Sequence, residues 1–283
     1  MKYGIREICD VVLKAKANIK VGNKTFAKGE PVIYFDSLKT STMEGAATTV
    51  YAQGGRGNSR LVAWEGERTV TFTMEDALIS ELGLAVLTGA GIIEAGKDDA
   101  VITVHTTAKY GATDAFDVEE VVDDKSDIYA IELDENDNVL STDKATYGSK
   151  KFTYTVKNTD EAKAVMFDFY VKKSTGAKQI EITADKFAGN YYLEASTLFR
   201  SQDGVDHPAE FIIPNCKIQS NFTFTMASSG DPSTFTFTMD AFPDYTKFDY
   251  SKKVLSVIQI IDENAPIIDK TDDADDTDEA VAG

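Results

Sequence analysis

Threonine alternates with large apolar residues in Thr69-Val70-Thr71-Phe72-Thr73-Met74 and again in Thr234-Phe235-Thr236-Phe237-Thr238-Met239. Successive side chains of a β-strand point to opposite faces, so each stretch places its apolar side chains on one face and its threonines on the other. Thr and Phe both favour the pleated surface of a sheet. The two stretches therefore predict half-buried strands in a mainly β protein.

Each of these strands has a neighbour along the chain that predicts a hairpin. Asn221–Met226 also alternates, and the turn formers of Ala227–Ser233 separate it from the second stretch, which predicts a hairpin over residues 218–240. Residues 60–64 precede a turn at Glu65-Gly66-Glu67, which predicts a hairpin over residues 60–74. The similarity of the two hairpins has two interpretations, convergent alternation or an internal duplication. The predicted sandwich core contains Val70, Phe72, Met74, Phe222, Phe224, Phe235 and Phe237.

A single helix is predicted over residues 75–89. Glu75 and Asp76 would lie at its start, where the helix dipole favours acidic side chains, and Gly89 would end it. The apolar residues between them follow at helical spacing. The helix is expected to flank the β core.

The chain is divided into four segments by its changes in composition. Residues 1–104 and 166–261 form the two halves of the core, and residues 105–165 form a more polar, β-rich insertion with an acidic turn at residues 134–138. Residues 262–283 contain nine acidic residues and one lysine, which is −8 of the formal net charge of −18. So little apolar surface predicts a disordered acidic tail; a docking peptide for a basic partner is the alternative interpretation.

The composition excludes several classes of function. A net charge of −18 argues against nucleic-acid binding through basic patches. Cys9 and Cys216 are too few for a disulfide framework and are predicted to be buried, while His207 is predicted to lie in a turn. The N-terminus lacks the apolar stretch of a secretory signal, and no apolar run is long enough for a membrane span.

No catalytic, metal-binding or cofactor-binding residues are predicted. The turn at residues 134–138 begins like a calcium loop, but Val139 and Ala145 occupy the positions that require Gly and Glu. The loop at residues 54–59 is rich in glycine, but a strand rather than a helix follows it, so it is predicted to be a surface loop instead of a phosphate-binding loop. The chain is therefore predicted not to be an enzyme.

Two stretches resemble the tail tube proteins of tailed bacteriophages: residues 50–78, and residues 209–214 continuing through the second hairpin to Pro243. Together they cover about a third of the chain. The resemblance implies a β-sandwich or barrel with one flanking helix, whose copies form hexameric rings that stack into the tube through which the genome passes. The insertion and the acidic tail exceed the usual core of that family.

The resemblance assigns expected roles to particular residues. The threonine face would line the lumen, through Thr69, Thr71, Thr73, Thr223, Thr225, Thr236 and Thr238. Two loops would contact neighbouring copies, through Gly54, Gly55, Arg56, Asn58, Arg60, Ser229 and Asp231. The expected partners are other copies of the chain, with tail sheath, baseplate and tail-terminator proteins, and the expected location is the virion tail after assembly in the bacterial cytoplasm. The alternatives are another virion component, such as a capsid decoration or sheath protein, and a glycan- or receptor-binding β-sandwich.

Overall fold

The computed structural model describes residues 2–123, 125–226, 228–229 and 233–262. The chain divides into two compact units. The first unit consists of Met1–Ala90 together with Ala184–Gly283, and the second unit is Gly91–Thr183. The predicted insertion of residues 105–165 lies within the second unit, and the predicted acidic tail lies outside the described residues except for Asp262.

The described residues form eighteen strands and one helix, so the predicted mainly β class is confirmed. In chain order these elements are β1 (Tyr3–Ile5), β2 (Asp10–Ala15), β3 (Ile19–Val21), β4 (Lys24–Phe26), β5 (Pro31–Phe35), β6 (Leu38–Gly54), β7 (Ser59–Asp76), α1 (Glu81–Thr88), β8 (Gly91–Glu94), β9 (Ile102–Gly111), β10 (Ile128–Leu133), β11 (Val139–Gly148), β12 (Lys151–Thr153), β13 (Ala164–Lys173), β14 (Lys178–Glu181), β15 (Asn190–Ser201), β16 (Asp206–Ile218), β17 (Phe235–Ala241) and β18 (Val257–Ile260).

The first unit is built on one strongly curved antiparallel sheet. Its strand order is β5-β2-β15-β16-β17-β7-β6, with β1 on β15 and β18 on β16. In a flat sheet, β5 and β6 would lie about 29 Å apart, because neighbouring strands are about 4.8 Å apart. Only Asp36 and Ser37 connect these strands, a link that spans at most about 11 Å. The sheet therefore curves back on itself into a half-barrel.

The alternating stretches supply much of the inner face of this half-barrel. Phe72 lies opposite Met239 and Met74 lies opposite Phe237, and all four side chains are buried. The Phe237 ring also contacts Phe35, with ring centroids 4.9 Å apart. The strands predicted at residues 69–74 and 234–239 are confirmed, the second of them beginning at Phe235.

The predicted hairpin over residues 60–74 is wrong in its turn. β7 runs without interruption from Ser59 to Asp76 and pairs with β6, and the chain reverses at residues 55–58 instead. The Glu65-Gly66-Glu67 segment forms a β-bulge, in which the Glu67 N–H donates to Thr48 Oγ1 at 2.9 Å. A bulge accommodates an extra residue in an antiparallel pair, so turn-forming residues there do not end the strand.

The predicted hairpin over residues 218–240 is wrong in its first arm. β16 ends at Ile218, residues 221–226 form no strand, and Phe222 and Phe224 are 39% and 42% exposed rather than in the core. β17 pairs with β7 instead, so the two alternating stretches are neighbours in one sheet and not parts of two equivalent hairpins. Alternation shows that a segment fits a half-buried strand, but it does not identify the partner strand.

The helix is shorter than the predicted residues 75–89. β7 continues through Asp76, whose carboxylate accepts hydrogen bonds from Ser37 Oγ and from the Leu78 N–H. Ser80 caps α1 by accepting a hydrogen bond from the Gly83 N–H at 2.9 Å. Gly89 ends the helix as predicted, with φ at +73°. A Cβ at this position would lie 2.5 Å from the Phe187 carbonyl oxygen, so only glycine fits.

The second unit contains a five-stranded antiparallel sheet with the order β12-β11-β10-β13-β9. One face of this sheet packs against residues 116–122 around a cluster of aromatic rings, in which the Phe152 and Phe167 rings stack at 4.5 Å. β8 and β14 pair with each other at the two points where the chain enters and leaves the unit. The predicted acidic turn at residues 134–138 is present, with the Asp134 side chain accepting the N–H groups of Asn136 and Asn138.

Candidate self-assembly surface

A long two-stranded ribbon extends from the first unit. β17 pairs with β7 only as far as Thr71, so beyond that point β6 is the only described strand that pairs with β7. We call residues 44–69 the arm. Every residue of the arm is exposed except Ala52 and Gly54, which are half-buried. An isolated pair of strands is marginally stable in water, so contact with another surface would stabilise a ribbon with both faces exposed.

One face of the arm is apolar. Val50 lies opposite Trp64 and Ala52 lies opposite Val62, so these four side chains form a cross-strand patch. Val50, Val62 and Trp64 are 62%, 49% and 54% exposed, and Leu61 nearby is 66% exposed. On the surface of a soluble protein, contiguous apolar side chains mark interaction sites more often than isolated apolar side chains do.

The end of the arm is basic in an otherwise acidic chain. Residues 50–64 contain Arg56 and Arg60 and no acidic residue, whereas the whole chain has a net charge of −18. The Arg60 guanidinium lies 4.0 Å from the centroid of the Tyr51 ring. This cation–π contact stabilises the arginine side chain on the arm. The arm therefore presents apolar and positive groups together, which suit an apolar surface with an acidic border.

The structure brings most of the predicted contact residues together at the end of the arm. Gly54, Gly55, Arg56, Asn58 and Arg60 all lie in or beside the turn between β6 and β7, which is a surface loop as predicted. Gly55 and Asn58 have φ values of +77° and +50°, conformations that glycine and asparagine adopt most readily. Ser229 is exposed but belongs to no strand, and Asp231 lies outside the described residues.

The predicted threonine face is present on three adjacent strands. Thr73 lies between Thr42 of β6 and Thr238 of β17, and Thr71 and Thr236 occupy the neighbouring rows. Thr69 lies on the arm, while Thr223 and Thr225 belong to the segment that forms no strand.

Carboxylates that the sequence analysis did not single out share the threonine face. Glu44 and Asp240 lie on either side of Thr71, and Glu75 lies between Thr40 and Thr236. Their alignment depends on the register between strands, which no local sequence signal specifies.

The residues that the sequence analysis considered for metal binding or catalysis are now placed in the fold. The described residues contain no group of three or more His, Cys, Asp or Glu side chains arranged to hold a metal ion. His207 lies in β16 and not in the predicted turn, and its ring contacts Tyr3. Cys9 and Cys216 are buried as predicted, and burial raises the pKa of the Cys216 thiol to about 12. Among the residues that the structure describes, no helix is both long enough and apolar enough to cross a membrane.

Comparison with known proteins identifies the family. No curated protein matches the chain. The model of the YomU/Tube protein family matches residues 4–255, which include the second unit, the arm and most of the first unit. This match confirms the resemblance to phage tail tube proteins. Proteins of that kind are structural components of the virion and are not normally enzymes. The chain therefore belongs to the YomU/Tube protein family.

Proposed function

We propose that this protein is the subunit of a phage tail tube, which self-assembles into stacked rings that form the conduit for genome ejection. The observation that carries the proposal is the arm, whose apolar face and basic end are exposed in the described chain. Membership of the YomU/Tube protein family supports the same role. The number of six subunits per ring comes from the resemblance to tail tube proteins.

The free edges of the curved sheet support assembly into rings. β5 and β6 are the terminal strands of the sheet path, and no other described strand pairs with their outer edges. Unpaired edges readily accept strands from other chains, and contacts between different surfaces of identical copies produce rings or stacks. Each copy would thus cover the edges and the arm of its neighbours.

The threonine face has the chemistry of a surface along which DNA passes without binding. The threonine hydroxyls of this face can bind water, and Glu44, Glu75 and Asp240 add negative charge to the same face. The negative charges of these carboxylates repel the phosphates of DNA, so DNA would not bind to this face. We propose that this face lines the lumen, and that sheath, baseplate and tail-terminator proteins bind elsewhere on the tube assembled in the bacterial cytoplasm.

Negative-stain electron microscopy of the purified full-length chain over a range of concentrations tests the proposal. We expect rings at low concentration and tubes of uniform width at high concentration. A chain that remains monomeric at every concentration would contradict the proposed function.

A glycan-binding role for the second unit is a further candidate function, favoured by an aromatic surface on the outer face of its sheet. Tyr129 lies opposite Asp168, Tyr170 lies opposite His105, and His105 Nε2 lies 3.1 Å from Asp168 Oδ1. Exposed rings beside polar groups suit a sugar ring, which has apolar faces and hydroxyl edges. A glycan array would show binding that Tyr129→Ala removes and that Tyr250→Ala, an exposed tyrosine of the first unit, retains. Equal binding by both variants, or none by the unmodified chain, would rule the role out.

A further inference from the structure

One edge of the five-stranded sheet in the second unit is open. β9 is a terminal strand of that sheet, and it pairs with β13 along its whole length without a bulge. No other described strand pairs with β9. Within the described chain, the backbone of residues 103–109 makes no backbone hydrogen bond outside the β13 ladder, and each of these residues is exposed or half-buried. We call residues 103–109 the open edge.

The opposite edge of the same sheet is covered. β12 is the other terminal strand, and residues 116–118 lie along its outer side. The Phe152 N–H donates to the Phe116 carbonyl oxygen, and the Val118 N–H donates to the Lys150 carbonyl oxygen, both at 2.9 Å. Native proteins usually cover or interrupt a sheet edge, because an unpaired edge accepts strands from other chains. The second unit therefore covers its short edge and leaves its long edge open.

The open edge has few of the features that keep an edge strand from pairing. Its sequence, Thr-Val-His-Thr-Thr-Ala-Lys, contains no proline, and four of its seven residues are β-branched, which favours extended backbone. Its two basic side chains already have partners in the same unit. His105 Nε2 lies 3.1 Å from Asp168 Oδ1, and the Lys109 ammonium pairs with Asp137. Neither side chain therefore presents an uncompensated charge that would repel an added strand.

The charge of β9 also favours contact with another copy. Residues 101–113 contain no acidic residue, although the whole chain has a net charge of −18. Net charge of that size generally opposes self-association. Two copies that meet at the open edge would bring no carboxylate of one β9 against a carboxylate of the other.

The open edge is complementary to itself in one antiparallel register. Thr106 is its central residue, and a two-fold axis there would oppose residues that point to the same face of the sheet. No like charges would then face each other, and two β-branched or small residues would meet at the centre, an arrangement that stabilises cross-strand pairs. Two-fold contacts are the commonest kind between identical chains. The opposed pairs would be Thr103 with Lys109, Val104 with Ala108, His105 with Thr107, and Thr106 with Thr106 of the second copy.

We propose that the open edge binds the open edge of a second copy of this chain, antiparallel and centred on Thr106. The two five-stranded sheets then form one continuous sheet across the two copies. Main-chain hydrogen bonds supply the affinity of such a contact, and the alternating side chains set its register. The contact uses residues of the second unit alone, so it goes beyond the proposed function and does not depend on the arm.

Disulfide trapping of the full-length Thr106→Cys variant tests this proposal. Directly opposed residues of an antiparallel pair have Cα atoms about 4.5 or 5.5 Å apart, a separation that a disulfide can span. We expect a covalent dimer on mild oxidation. The unmodified chain should not form one, because Cys9 and Cys216 are buried. Thr142→Cys is the control, since Thr142 is an exposed threonine of β11 inside the same sheet. Equal linking of both variants, or no linking of Thr106→Cys, would overturn the proposal.

Charge variants at Thr106 test the register without a covalent bond. Thr106→Lys places two ammonium groups opposite each other, and it is expected to weaken the dimer about fivefold or more in sedimentation equilibrium. An equal mixture of Thr106→Lys and Thr106→Asp is expected to restore the dimer, because opposite charges then face each other. A fold defect in either variant would not be corrected by mixing. A mixture no more dimeric than Thr106→Lys alone would count against the two-fold register and overturn the proposal.

Repeating the disulfide trapping with Val50→Asp added separates this contact from assembly through the arm. Val50 lies in the apolar patch of the arm, in the first unit, whereas Thr106 lies in the second unit. We expect the Thr106→Cys link to form with or without the Val50 substitution. Rings or tubes that form while Thr106→Cys never links would overturn this inference alone. A linked dimer in a chain that never forms rings would support this inference and contradict the proposed function.

Discussion

Val50→Asp is expected to prevent tube formation at concentrations where the unmodified chain assembles. Val50 lies in the apolar patch of the arm opposite Trp64, and its side chain is 62% exposed in the single chain. If the patch is buried against another copy, a carboxylate there loses its hydration without gaining a partner. A loss of about 2 kcal/mol per contact raises the concentration needed for assembly at least about 30-fold. Sedimentation velocity over a range of concentrations measures this change.

Val139→Asp is the matched control for Val50→Asp. Val139 lies on β11 of the second unit and is also 62% exposed. Both variants make the same chemical change at the same exposure, and neither is expected to alter the thermal unfolding of the single chain. Assembly of the Val139 variant at the normal concentration is expected. Equal assembly by both variants would show that the arm does not contact other copies.

Glu132→Ala is expected to destabilise the second unit by at least about 3 kcal/mol. The Glu132 side chain is fully buried and accepts hydrogen bonds from four donors: Tyr154 Oη at 2.7 Å, the Lys157 N–H at 2.6 Å, the Asn158 N–H at 3.0 Å and Asn158 Nδ2 at 2.7 Å. Its removal leaves these donors without their acceptor. Calorimetry should show a lower unfolding temperature, and hydrogen exchange of residues 154–158 should accelerate.

Glu132 also makes the stability of the second unit depend on acidic pH. Burial alone would raise its pKa, but the hydrogen bonds from Lys157, Tyr154 and Asn158 outweigh burial and lower the pKa from about 4.5 to about 2. Because the folded-state pKa is the lower one, the stabilisation is complete above about pH 4.5 and is lost as the pH falls towards 2. Lys172 and Ser126 likewise lower the pKa of Asp123 to about 2, so part of the acid dependence remains in any Glu132 variant.

Comparing Glu132→Gln with Glu161→Gln distinguishes the titration of Glu132 from the titration of other acidic residues. Glu132→Gln is expected to flatten the loss of stability between pH 4.5 and pH 2, because glutamine does not titrate. Glu161 is exposed on the same unit, and its substitution is expected to leave the acid dependence unchanged. A Glu132 variant with the acid dependence of the unmodified chain would contradict this assignment.

The strands that the sequence predicted well are those in which the local pattern matches the final environment. Phe72, Met74, Phe235 and Phe237 alternate with threonines, and the structure buries all four. Phe222 and Phe224 show the same alternation but remain partly exposed, because no described strand pairs with residues 221–226. Periodicity reports what a segment can bury, whereas pairing depends on residues far away in the chain.

The arm and the hydrogen bonds around Glu132 could not be predicted from the sequence. Gly66 has the sequence neighbourhood of a turn, but the partner residue Thr48 converts the segment into a bulge within a longer strand. The sequence predicts the loop at residues 53–60 as a contact region, but it does not predict the length of the ribbon that carries this loop. Glu132 resembles other acidic residues in the sequence, and only the folded chain brings Tyr154, Lys157 and Asn158 around it.

A cryo-electron microscopy reconstruction of assembled full-length protein tests the central claim most directly. The claim is that the arm becomes ordered by contact with other copies while the threonine face lines the lumen. The predicted map shows Val50, Val62 and Trp64 covered by a neighbouring copy and Thr73 and Thr238 facing the channel. A map in which the arms project into solvent, or in which the threonine face lies on the outside of the tube, would contradict it.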